Sequence, residues 1–117
     1  MKKFLILYNA PLNELDKMME QMKGNPEAMK EGMDSWMNWM NGMKDNFVDM
    51  GAPAAKNKRV TAQGIEDVRN EVTGYSILQA NSLEEAAELI NRDPKSPHFH
   101  IPGAYVEVTE LMEMPQM

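Results

Sequence analysis

His98 and His100 stand two residues apart in Pro97-His98-Phe99-His100-Ile101-Pro102, and they are the chain's only imidazoles. Side chains two apart in an extended segment point the same way. Such a pair suits an anionic ligand, a metal, or proton relay near neutral pH. No third ligand is evident nearby in sequence, so a metal is not expected. The competing reading is a proline-rich loop whose histidines are exposed or bonded locally. Tyr8, Tyr105 and Glu107 fall in strand-like segments. Together with a histidine they can line a half-polar pocket for a small ligand. A tyrosine packed in an interface with its hydroxyl at the rim gives the same pattern. Asp67 and Arg69 belong to a charge run between Glu66 and Glu71 and are candidate ligand contacts, or else members of a solvated turn. For proton transfer the expected pair is His100 with Glu107.

Composition narrows the alternatives. With no cysteine, thiolate chemistry, disulfides and cysteine-based zinc sites are excluded. A net charge of −6 argues against a nucleic-acid partner, which calls for a positive face. Lys56, Lys58 and Arg59 form one small basic cluster, read as a solvated strand entrance. The opening run Phe4 to Tyr8 is too short for a signal peptide's apolar core and far too short to cross a membrane. A cytoplasmic protein with no membrane partner is expected. Serine triads, phosphate-binding loops, dinucleotide fingerprints and zinc-protease spacings are absent, and no cofactor is expected.

The elements that must position these residues follow from periodicity. Phe4–Tyr8 is an apolar run of strand formers. Leu15, Met18, Met19 and Met22 keep helical spacing up to Gly24. Asn25 then caps a second helix with Pro26 at its first position. Met29, Met33, Trp36, Met40, Met43, Phe47 and Met50 recur at steps of four and three, which predicts one long helix over 26–50 with a methionine-rich seam facing the core. Strands are expected at Arg59–Gly64, Gly74–Ala80 and Ala104–Leu111, with a helix opened by Ser82 and Glu85 and closed before Pro94. The order β-α-α-β-β-α-β in one domain of 117 residues is a ferredoxin-like α+β split unit with an elaborated first connection. A sheet covered by helices on one side leaves the other side open. The first strand is apolar on both faces, and Leu78 and Tyr105 are expected to add to the open side. Monomers seldom expose such a patch, so a homodimer with pockets between its sheets is expected.

Three segments resemble the YCII-related (DGPF domain) family: Met1 to Tyr8, Gly74 to Ala80 followed by Ser82 to Ala86, and Ala104 to Val108 running on to Glu113. The resemblance implies a single dimeric ferredoxin-like domain of the α/β-barrel type that binds a small molecule on its open sheet face. Where the family signature Asp-Gly-Pro-Phe would fall, the chain has Gln63-Gly64-Ile65-Glu66, and it has no histidine before position 98. The acid–base pair of some family members therefore has no counterpart at the matching position. A small-molecule-binding homodimer is the leading expectation. The alternative is a non-enzymatic interaction or regulatory module acting through its surface or the methionine-rich helix, and an oxidant-sensitive seam is a third reading.

Overall fold

A computed structural model describes residues 1–114. Strand β1 (Lys2–Asn9) leads into helices α1 (Leu12–Met22) and α2 (Pro26–Asn41), then β2 (Phe47–Pro53). A hairpin follows, β3 (Asn57–Thr61) with β4 (Gly64–Val68), before β5 (Val72–Ala80). Helix α3 (Leu83–Asn91), a single 3-10 turn at Pro97–His100, and β6 (Tyr105–Glu110) complete the chain.

The main sheet has the order β2-β5-β1-β6 with every neighbouring pair antiparallel. That is the strand order of a split β-α-β-β-α-β unit, as the sequence predicts. The barrel-type architecture is corrected: the sheet is open, and β2 and β6 are its two free edges. Four strands twist but cannot close, since even a small barrel filled by side chains takes about eight.

Alternation along β1 decides which side meets the helices. Phe4, Ile6 and Tyr8 are buried beneath them, whereas Leu5 and Leu7 point to the open side and are only half-covered. The core joins these three to Leu78, Ala80, Ala86, Ile90, Trp39 and Met43. Leu78 is fully buried in that core, so its expected place on the open side is corrected. Its neighbour Ile77, opposite Leu5, takes the open side instead. On β6, Val106 and Val108 pack against the core and Tyr105, Glu107 and Thr109 face away from it, as their alternation predicts.

The long helix is also corrected. Asn25 accepts a hydrogen bond from the Ala28 amide at 3.2 Å and Pro26 begins α2 as expected, but the helix ends at Asn41. Turns through Gly42–Asn46 follow, and Phe47 starts an edge strand beside β5. Glycine and asparagine weaken a helix here, while Phe47 and Val48 favour a strand that completes the hydrogen bonding of β5. Gly51 is therefore part of a β-bulge. Its φ is +77°, and a Cβ there would lie 1.7 Å from the Tyr75 carbonyl oxygen.

The seam keeps its expected face only in part: Trp36, Met40, Met43 and Phe47 pack on the core, whereas Met29, Met33 and Met50 are exposed. Ala28, Gly32, Trp36, Trp39 and Met40 turn inward, and Met29, Met33 and Met37 are more than half exposed. Two effects favour this. The indoles remove more apolar area from water than thioethers do. Small residues at 28 and 32 also let α1 approach, with the Met22 methyl 3.8 Å from where a Gly32 Cβ would be. The strand expected at Arg59–Gly64 is one arm of the β3–β4 hairpin, which is not part of the main sheet.

Candidate functional site

Helix α1 carries an apolar stripe, yet none of its side chains is fully buried. It packs beside α2 and leaves Leu15 and Met18 half-covered. Two cavities flank it. The larger, about 970 Å³, lies between α1 and the base of the hairpin, walled by Leu15, Met18, Val68 and Val72 with Lys56 and Arg69 at its polar side. The smaller, about 490 Å³, lies between α1, α2 and the 3-10 turn, where Met18, Trp36, Ser35, Glu14 and His100 meet.

Arg69 fixes the wall of the larger cavity. Its two terminal nitrogens donate to both oxygens of Asp16 on α1, at 2.7 and 3.2 Å. This forked contact holds the Asp16 carboxyl below its ordinary range and raises the Arg69 guanidinium, in each case chiefly through the hydrogen bond. Asp67 pairs across the hairpin with Lys58. Lys56 has no acidic partner among the described residues. Asp67 and Arg69 therefore do line one cavity, and sequence reasoning missed Lys56, Leu15 and Met18 as their companions. The signal for the last two was present in the helical spacing of α1, whose apolar face is only half covered.

His98 is buried, so its expected place on a ligand-facing loop is not what the fold provides. Its Nε2–H donates to the Asn9 carbonyl at 2.5 Å, and its ring meets Tyr8 edge-on at 5.6 Å. Burial pushes its pKa down, opposed by backbone hydrogen bonds at Asn9 and Tyr105. Tyr8 is likewise core: its hydroxyl lies 3.1 Å from that of Ser76, which donates to the Met50 carbonyl at 2.8 Å. Burial raises the Tyr8 pKa, and the Ser76 hydrogen bond partly offsets this.

His100 and Glu107 are not brought together. His100 lines the smaller cavity on the helical side, whereas Glu107 projects from the opposite face of β6. Neither histidine is hydrogen-bonded to a carboxylate among the described residues. Glu107 instead neighbours Tyr105, whose hydroxyl donates to Glu71 Oε1 at 2.7 Å. That hydrogen bond, burial and the charges of Glu71 and Glu107 raise the Tyr105 pKa. The geometry suits binding: apolar walls, an ammonium without an acidic partner among the described residues, and fixed polar partners around them. Among the described residues no helix is long and apolar enough to cross a membrane.

The fold and cavities define a ferredoxin-like α+β chain with a half-covered helical face. No family model matches it, and no curated protein matches it either. Among solved structures it is similar to 5-chloro-2-hydroxyhydroquinone dehydrochlorinase from Burkholderia phenoliruptrix AC1100, in complex with 2,5-dihydroxybenzoquinone. The identity is 12%, the TM-score 0.46, and the match covers 92% of this chain and 91% of that one.

Proposed function

We propose that this protein is a homodimer that binds a small organic anion with a large apolar body in the cavity between α1 and the hairpin base. The observation that carries this reading is the wall of Leu15, Met18, Val68 and Val72 beside Lys56, which has no acidic partner among the described residues. At about 970 Å³ the space lies at the upper end of the roughly 300–1,000 Å³ range typical of small-molecule sites. An apolar body gains by removing α1's stripe from water, and the anionic end meets the ammonium. The subunits pair through the open sheet face, where Leu5, Leu7 and Ile77 lie between Tyr75 and Tyr105. Acid–base catalysis by His100 with Glu107 is not part of the reading, because the two face opposite sides of the sheet.

Fluorescence titration with anilinonaphthalene sulfonate, an apolar anion, tests the site. Met18→Asp and Lys56→Glu should each weaken binding at least about tenfold. Met33→Asp, on the outer face of α2, should leave binding unchanged. Equal affinity in all three variants would overturn the reading.

A further inference from the structure

Four charged side chains, Lys56, Lys58, Asp67 and Arg69, line the cavity between α1 and the hairpin base. Lys58 is paired with Asp67 across the hairpin, and Arg69 is held by both oxygens of Asp16. Exposed ion pairs are generally weak, but a forked guanidinium–carboxylate contact is the geometry that persists. Neither pair leaves net charge at the wall. Lys56 is the remaining cation, without an acidic partner among the described residues. The wall therefore matches a ligand with a single negative charge. A second would find the other two cations already neutralised.

Two asparagines add hydrogen-bond donors to the same cavity, Asn57 and Asn70. Asn57 Oδ1 accepts from the Asn70 backbone amide at 3.3 Å, and Asn70 Oδ1 accepts from the Val72 amide at 3.1 Å. A backbone N–H can only donate, so each side-chain oxygen is fixed and each Nδ2 is left as a donor. Neither Nδ2 makes a hydrogen bond among the described residues. One ammonium and two amide donors suit a carboxylate, which only accepts. The rest of the wall is of one kind. Leu15, Met18, Met19, Val68 and Val72 supply aliphatic and thioether surface, and no aromatic side chain is among the described lining residues. Such walls conform to a flexible chain and offer a flat ring no ring partner.

We infer that the ligand of this cavity is an aliphatic monocarboxylate. Its head meets the Lys56 ammonium and the Asn57 and Asn70 amides, and its chain lies along the apolar stripe of α1. Asp16 sets the specificity without touching the ligand. By occupying Arg69 it keeps a second cation from the head group and so shuts out doubly charged heads. This rests on the small-anion reading above, and adds the ligand class and the residue that selects it.

Displacement of anilinonaphthalene sulfonate from the full chain tests it, with decanoate, decyl phosphate and naphthoate as competitors. At about pH 8 decyl phosphate carries the same chain length with close to two negative charges. Decanoate should bind at least about tenfold more tightly than either of the others. Asp16→Ala frees Arg69, and should improve decyl phosphate at least about tenfold while changing decanoate less than about threefold. Asn57→Asp and Asn70→Asp keep the oxygen that each backbone amide uses, so the hairpin base stays formed, yet each should weaken decanoate at least about tenfold. Decyl phosphate or naphthoate matching decanoate, Asp16→Ala failing to favour decyl phosphate, or asparagine variants that bind decanoate unchanged would overturn the inference. The small-anion reading stands in those cases if Met18→Asp and Lys56→Glu still weaken the dye. Dye binding that ignores both of those substitutions overturns the two together.

Discussion

The Nε2–H of His98 donates to the backbone carbonyl of Asn9, tying the turn before β6 to the last residue of β1. The contact spans 89 positions and is buried, so a histidine that reads as a pocket residue acts as a bolt between the 3-10 turn and β1. Replacing it with alanine leaves a buried carbonyl without its donor, at a cost of about 1–3 kcal/mol. Chemical denaturation of His98→Ala checks this.

The same residue gives the stability a pH dependence. Burial lowers the folded pKa of His98 below its ordinary value of 6.5, so the unfolded chain takes up the proton first. Stability is therefore present in full above that value and is lost as pH falls from it toward the folded pKa. Urea unfolding at about pH 5 and about pH 8 should show the natural chain weaker in acid, with a smaller difference in His98→Gln.

Tyr8, Ser76 and the Met50 carbonyl form a buried chain of two hydrogen bonds, and its members should respond unequally. Tyr8→Phe leaves the Ser76 bond to Met50 in place and should cost about 0.5–1.5 kcal/mol. Ser76→Ala strands the phenol and the carbonyl together and should cost more, about 2 kcal/mol or above. Thermal melts of both variants rank the two losses.

Sequence periodicity went furthest where one force acts alone. Alternation in β6, the Asn25-Pro26 start of α2 and the Ser82 cap on the Glu85 amide are local, and the fold keeps all three. The seam keeps its face from Trp36 to Phe47 but not at Met29 and Met33, because a pattern of steps of three and four fits two adjacent stripes of α2. Only the sheet and α1 decide between them. The end of that helix was hidden for a related reason. Phe47 and Met50 continue the helical spacing, yet the open edge of β5 offers hydrogen bonds that a helix extension cannot match. His98 and Tyr8 looked like site residues because polar aromatic groups serve equally well as satisfied core. Their partners, Asn9 and Ser76, are invisible until the strands pair.

Gly51 makes a sharper test of the bulge. Alanine there would set its Cβ against the Tyr75 carbonyl and force a positive φ on a residue that disfavours it. Gly51→Ala should destabilise the protein by about 3 kcal/mol or more, or shift the β2 register. Hydrogen exchange at the β2 and β5 amides separates the two outcomes.

Peroxide should separate the outer methionines of α2 from the core methionine in the turn that follows it. Met29, Met33 and Met37 are exposed and should be converted to sulfoxides first, with little change in melting. Met43 is 1% exposed and should resist until the fold is lost. Peptide mapping by mass spectrometry during a peroxide time course reads the order directly.

The central claim is that α1 and the hairpin base enclose a ligand, and methyl resonances of labelled methionine test it most directly. On titration with an apolar anion, the methyls of Met18 and Met19, which line that cavity, should shift together and saturate while those of Met33 and Met37 stay still. Saturable shifts at Met33 and Met37 with Met18 unmoved would contradict the account.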